Sequence, residues 1–406
     1  MSAAAPDSGS RDAPGSGRGA DAGGRGADTG GRSSERLAEL VALSRRYGSD
    51  PAWVLAGGGN TSYKNESTLW VKASGSSLGT IGVEGFCAID RARLDAIWDR
   101  KYPDNADERE AAALADLMGA RAPGETKRPS VETLMHGFFP QAFVVHTHPS
   151  LVNGLTCGRG GEEVFGELFG DEAIWVPLVD PGYILAKTVR QALEAFRARQ
   201  GRPPALMFMQ NHGLLVAGET PEEIDSISSS VVARLASRVS RRPDRRSEAV
   251  DAASLAEMMR SIASLAGPGA FVAHRADADI LAFARDAAGF APLASAFSPD
   301  HIVYAGHEFA LAEGAEDVAR SWSDYFVRNG GPPRIVLARG LGAVSVARTQ
   351  AGAASALALF LDACAVAVYA ESFGGALHMP PKMVQFIRNW EVERYRAKTS
   401  VGSTGG

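Results

Sequence analysis

Two stretches of this chain repeat each other at a nearly constant offset, and that repetition limits the folds open to it. FVVHTHPSLVNGL (143–155) lines up with FVAHRADADILAF (271–283), 128 residues further on, and ALMFMQNHGLLVAGET (205–220) lines up with RIVLARGLGAVSVART (334–349), 129 further on. Both segments of the second pair run strand, glycine turn, strand and then helix, Ala-rich in the second copy. The chain therefore reads as a duplicated α/β unit, and 406 residues accommodate two such units at ~100–200 residues per domain. The copies differ where chemistry is concerned. His274 falls on His146, but Ala276 replaces His148 and Leu341 replaces His212, so the second copy has lost part of any site the first contains.

Composition narrows the class. Hydrophobic residues at 45% and charged residues at 22% are ordinary for a globular protein. A net charge of −5 argues against a dedicated nucleic-acid binder. Cys87, Cys157 and Cys364 are far apart and form no C-x-x-C, which gives neither a disulfide framework nor a zinc ribbon and points to a reducing, cytoplasmic setting. No run of 18 apolar residues occurs, so no membrane-spanning helix is expected; residues 351–371 come closest, and Asp362 with many alanines marks them as a buried core helix.

Residues 1–32 lack any large apolar side chain after Met1 and read as a disordered tail, with no apolar core of a signal peptide. The first unit is expected over 33–245. It opens with a helix capped by Ser33 or Ser34, followed by strands in WVLAGGGNTSYK, TLWVKASG and GFCAID, helices near 106–120 and 130–139, and a strand over 142–148. Further on come a helix over 184–200, strands at 205–209 and 214–217, and a helix over 221–240. RRPDRRSEAV (241–250) is a charged linker. The degenerate second unit follows over 250–385, with a C-terminal helix and tail at 386–406.

His146-Thr147-His148 is the strongest chemical signal. Residues i and i+2 of a strand share a face, so the two imidazoles stand side by side, in chelating geometry for a divalent metal. His212 precedes Gly213 at a strand–turn–strand corner, where a bend brings in a third imidazole. Three neutral ligands with one open position is the pattern of catalytic zinc. Glu132, in RPSVETLMHG, is a candidate fourth ligand or general acid/base; the competing reading has Ser130 capping a helix and Glu132 merely favouring its dipole. The turns GGGNTSYK (57–64), with Gly59, Asn60 and Thr61, and KASGS (72–76), with Lys72, Ser74 and Gly75, offer backbone N–H groups and one cation to a phosphate; ordinary hairpin turns have the same composition. His136, one turn beyond Glu132, and His378, in a loop, read as packing residues.

GGGNTSYK, KASG, PSVE, VVHTHP and NHGLLVAG, in this order, resemble the class II aldolase/adducin family over roughly 35–245. The second half, including SPDHIVYAG and IRNWEVERYR, is similar to the aldolase part of bifunctional rhamnulose-1-phosphate aldolase/short-chain dehydrogenase proteins. In those a dehydrogenase follows; since the chain ends at Gly406, no such activity is expected. The resemblance implies a three-layer α/β/α fold around a mainly antiparallel sheet, followed here by the degenerate α/β copy. It implies Zn2+, or another divalent metal, on His146, His148 and His212, with Glu132 as acid/base. Phosphate binding maps to Gly59, Asn60, Ser74, Gly75 and Ser130; Val131 stands where small aldolases carry a second serine. The implied reaction is retro-aldol cleavage of a ketose 1-phosphate to dihydroxyacetone phosphate and an aldehyde, by a homo-oligomer with no nucleic-acid or membrane partner. A ketopentose-phosphate 4-epimerase is the rival, though that subfamily carries Asp where Glu132 stands. A sugar-phosphate dehydratase shares the same residues, and an adducin-like interaction protein would lack the metal histidines.

Overall fold

The computed structural model describes residues 27–390. Eleven strands are seen among them: β1 (Asn60–Lys64), β2 (Thr68–Lys72), β3 (Phe86–Asp90), β4 (Phe143–Thr147), β5 (Ile174–Val176), β6 (Leu206–Met209), β7 (Gly213–Gly218), β8 (Phe271–Arg275), β9 (Ala310–Ala312), β10 (Ile335–Ala338) and β11 (Gly342–Ala347). The first seven form one sheet in the order β3-β2-β1-β4-β7-β6-β5, antiparallel throughout except for the β5–β6 pair. The other four form a second sheet in the order β8-β11-β10-β9, again with one parallel pair, β9–β10, at the end.

The second sheet reproduces the run β4-β7-β6-β5 strand for strand and direction for direction. Register agrees as well: His146 faces Leu215, and its counterpart His274 faces Val344, the residue 129 positions beyond Leu215. The sequence repeat is thus a structural one, a mixed α/β unit followed by a smaller α/β unit of matching topology.

Helices cover both faces of the large sheet, and strand alternation sorts the side chains between them. Val144, Met207 and Leu215 meet Leu185, Val189 and Phe196 of the Tyr183–Gln200 helix on one face. Val145, Phe208 and Leu214 meet Leu40 and Leu43 of the Ala27–Gly48 helix and Ile224 and Leu235 of Pro221–Ala236 on the other. The Gln350–Ala370 helix is long and apolar enough to cross a membrane by length and composition alone, and it is the one such helix among the described residues. It lies in the core, where Phe360, Ala363 and Val366 pack with Ile280, Phe297 and Cys157, and it runs against the Ser150–Thr156 helix of the first unit. All three cysteines are buried and free.

Several expected boundaries move. The first helix begins at Ala27, so residues 27–32 of the expected tail are helical and neither Ser33 nor Ser34 caps it; extending a helix already held by its packed turns costs little compared with nucleating one. Residues 1–26 lie outside the described residues. Trp53–Gly58 form turns rather than a strand, because Gly58 N–H and Val54 N–H close local bonds to Leu55 and Asp50 carbonyls. The C-terminal helix is Pro381–Asn389, started five residues early by Pro381 at its first position.

Candidate metal centre

The three histidines converge because β4 and the β6–β7 corner are neighbours. His146 sits on β4, fully buried; His148 lies one residue beyond the strand end, on the same side. His212 arrives through a tight turn in which its N–H bonds the Met209 carbonyl at 3.1 Å. Asn211 takes a left-handed conformation there (φ +53°), tolerated by Asn better than by most residues. Gly213 permits the approach: a Cβ at that position would stand 2.5 Å from both His148 Cδ2 and the Thr147 carbonyl oxygen.

The four donor atoms lie within 4.8 Å of one another. His146 Nε2 is 2.9 Å from His148 Nε2 and 3.2 Å from His212 Nε2. Glu132 Oε1 is 3.4 Å from His146 Nε2 and 3.3 Å from His212 Nε2. The edge of a tetrahedron with metal–ligand bonds of ~2.0–2.1 Å is roughly 3.3–3.4 Å, so these separations fit a four-donor cation site.

Tautomers support the fit. His146 Nδ1 lies 2.8 Å from the Leu214 carbonyl and His148 Nδ1 lies 2.6 Å from Asp300 Oδ2, and both oxygens are acceptors. Each Nδ1 therefore carries the hydrogen, and each ring, when neutral, presents a bare Nε2 lone pair. Two lone pairs facing each other at 2.9 Å repel unless a proton or a metal cation lies between them. The residues present thus match a divalent metal in donor type, spacing and outer hydrogen bonding.

Electrostatics are set within the cluster. Burial raises the Glu132 carboxyl, but the charge and hydrogen bonds of His146 and His212 outweigh it and hold the group well below the usual carboxylate range. Burial lowers His146, while Glu132 lifts it further and leaves it raised. His212 falls to about 4, burial outweighing its bond to Glu132. Asn60 Nδ2 approaches Glu132 Oε2 at 3.3 Å, which orients the carboxylate so that Oε1 faces the imidazoles. His136 stays outside the cluster, pushed to about 3 by burial and hydrogen-bonded to Ser62 at 2.8 Å.

The expected phosphate residues are placed as follows. Gly59 (φ +68°) and Asn60 lead into β1, with Asn60 opposite His146. A Cβ at Gly59 would stand 3.1 Å from the His146 carbonyl oxygen, so this turn packs directly on β4. Ser74 and Gly75 lie beside Ser130, because Ala73 bridges Pro129 and Ser74 N–H bonds the Arg128 carbonyl. Ser130 Oγ accepts from the Glu132 N–H at 3.3 Å, a local cap on the segment that carries Glu132. Thr61 points elsewhere. The Thr61 hydroxyl bonds that of Ser44 at 2.7 Å in the core. Lys72 Nζ donates to the Gly57 and Gly59 carbonyls, both at 2.9 Å, and so ties β2 to the glycine turn.

Sequence reasoning assigned no role to Asp300, although SPDHIVYAG was singled out. Asp300 belongs to the second unit, precedes a π-helical turn (His301–Ala305) and supplies the carboxylate on His148. The second unit also holds the turn of His212, since Asn211 Nδ2 donates to the Phe297 and Leu377 carbonyls at 3.0 and 2.8 Å. Pro299, Asp300 and Trp390 close the cleft over Glu132, His148 and His212, leaving a volume of about 20 Å³, about the room of one water.

Residues 38–226 match the family model described as Class II Aldolase and Adducin N-terminal domain. An uncharacterised oxidoreductase of Bacillus subtilis (strain 168), YuxG, is 26% identical over 88% of this chain, and the chain spans 58% of that protein's length. The N-terminal class II aldolase domain of a conserved protein from Thermoplasma acidophilum is 32% identical, covering 50% of this chain and 92% of that one, with a TM-score of 0.42. L-fuculose-1-phosphate aldolase from Thermus thermophilus is 16% identical over 50% of this chain and 92% of that one, with a TM-score of 0.32.

Proposed function

This chain belongs to the class II aldolase and adducin family, and on that premise we propose that it is a metal-dependent aldolase cleaving a ketose 1-phosphate of the rhamnulose 1-phosphate kind. The observation that carries the reading is the meeting of three imidazole Nε2 atoms and an ionised Glu132 at separations of 2.9–3.4 Å. A divalent metal, zinc being the one suited to three imidazoles, would be held by His146, His148 and His212 and would supply Lewis acidity at the substrate carbonyl and the neighbouring hydroxyl.

The chain's own residues then handle the protons. Glu132 is an ionised carboxylate in a closed cleft and takes the proton of the C4 hydroxyl. As the C3–C4 bond breaks, C4 becomes the aldehyde carbon and the bonding pair moves onto the phosphate-bearing three-carbon half. A proton returned to C3 completes dihydroxyacetone phosphate, and the aldehyde leaves as a lactaldehyde-like product. Asn60 keeps Glu132 aimed throughout. The Ser74 and Ser130 hydroxyls and the Gly75 N–H suit the phosphate. Trp390 and Pro299 line the cleft beside Glu132, His148 and His212.

The test is elemental analysis followed by an assay of the metal-loaded chain on a panel of ketose 1-phosphates, reading release of dihydroxyacetone phosphate. Metal binding with cleavage of at least one sugar supports the proposal. Epimerised or dehydrated sugar without triose phosphate, or a chain that binds no divalent metal, overturns it.

A further inference from the structure

An opening lined by residues 302–388 lies away from the metal cleft. It has a volume of about 210 Å³, below the ~300–1,000 Å³ of pockets for drug-sized ligands, so it suits a small molecule. Its polar wall is cationic. Arg334 and Arg388 both line it, together with His307, Tyr325 and Asn329. Neither arginine has a carboxylate partner among the described residues. Arg334 donates to the Val303 and Tyr304 carbonyls, and Arg388 reaches the Asn329 carbonyl at 3.2 Å and His307 Nε2 at 3.5 Å. Two guanidinium groups on one small cavity repel each other, and five donors each leave several N–H groups with no acceptor. The nearby carboxylate, Glu308, is turned to Asn329 Nδ2 at 3.1 Å.

The pocket is not the worn remnant of a second metal site. In the first unit the ligands stand where β4 ends and β7 begins. The matching place in the second unit is the Gly340–Leu341 turn between β10 and β11, where His274 Nε2 bonds the Leu341 carbonyl at 2.7 Å. Arg334 lies just before the opposite end of β10, some four residues away at ~3.3 Å per residue.

We propose that this pocket binds a small phosphate-bearing ligand, with Arg334 and Arg388 as the two guanidinium clamps and Tyr325 as a hydroxyl donor. A tetrahedral dianion accepts from both forks at once, which a single carboxylate in so open a setting does less well. Two segments tie this pocket to the metal cleft. The π-helical turn lines it with Ile302 and Val303 and is preceded by Asp300, the partner of His148. The Pro381–Asn389 helix lines it with Ile387 and Arg388 and leads into Trp390, which closes the cleft. π-Helical turns are frequent at functional positions. The site is therefore placed as an effector site. The proposal stands apart from the retro-aldol reading, since it uses none of the metal ligands.

Calorimetric titration of the full chain with inorganic phosphate tests it, using Arg388→Gln, Arg334→Gln, a His148→Ala/His212→Ala double variant and Arg320→Gln as a remote control. The expected result is a binding event that survives in the double variant and the control but weakens about tenfold or more in Arg388→Gln, the worth of a lost charge-assisted hydrogen bond. Because Arg334 also caps the π turn, its variant is read only alongside an unchanged circular dichroism spectrum; Arg388, exposed at the mouth, carries the decision. Phosphate binding that is indifferent to Arg388→Gln, binding abolished by the metal-ligand variant, or no heat at millimolar phosphate overturns the proposal.

Discussion

Asp300→Ala is the perturbation that most directly probes how the proposed metal centre is assembled. Asp300 is buried, 5% exposed, and its Oδ2 stands 2.6 Å from His148 Nδ1. That bond fixes the tautomer and the ring orientation of His148. Removing such a partner from a metal-ligating histidine costs ~10–100-fold in metal affinity, about 1.4–2.7 kcal/mol. Asp300→Asn leaves an acceptor in place but removes its charge. A neutral hydrogen bond is roughly half as strong as a charge-assisted one, so the loss falls to about 3–10-fold. The assay is competition of the full chain against a chelator of known zinc affinity, with thermal melts to confirm that each variant is folded. A folded Asp300→Ala chain within about threefold of the parent would refute the reasoning, because the first unit would then hold the metal without help.

Glu132→Gln keeps the shape of the side chain and removes its basicity; kcat for the proposed cleavage should fall by ~10²–10⁴-fold with zinc content measured in parallel, and a near-parental rate removes Glu132 from proton transfer. Asn211→Gly keeps the left-handed backbone but deletes both bonds to the second unit, at ~0.5–1.5 kcal/mol each, so chemical denaturation should show a loss of about 1–3 kcal/mol; an unchanged midpoint would show that the His212 turn needs no such anchor. Lys64, held at about 7 by burial, loses its proton near neutrality when folded but only near pH 10.4 when unfolded. The unfolded chain binds the extra proton between those values, so the lysine's contribution raises stability with pH there, at up to about 1.4 kcal/mol per pH unit, and its cost is full below pH 7. Lys64→Met should flatten that part of the profile and gain most stability below pH 7; a profile with the same slope would dismiss the lysine as its source.

Much of the first unit was legible in sequence because its signals are local. The two-residue period of a strand put His146 and His148 on one side, and the Asn-His-Gly turn marked His212, since only a sharp corner needs that glycine. Lys72 was half legible. A cation after a strand beside a glycine turn is visible in sequence, but the acceptors it faces are not, and they proved to be the turn's own carbonyls. The first helix's early start at Ala27 was hidden for another reason: its first turns contain glycine and threonine, poor helix formers that the packed turns after them carry along.

Asp300 escaped because nothing local ties it to chemistry. It is 152 residues from His148, in front of a π-helical turn that has no periodic sequence signature. Only the packing of the second unit on the first brings it into place. That packing also changes what the loss of histidines in the second copy means. Ala276 and Leu341 leave His274 bonded to a backbone carbonyl, so the copy holds no metal cluster of its own among the described residues. Yet the same copy supplies the carboxylate that orients His148 and the carbonyls that anchor Asn211, and the segment after it supplies the indole that lines the cleft. Without it, His148 Nδ1–H and Asn211 Nδ2 would lose these protein acceptors. Duplication here has divided the work, with the imidazole cluster on one unit and its alignment on the other, and a variant confined to the second unit is therefore able to reach the candidate metal site.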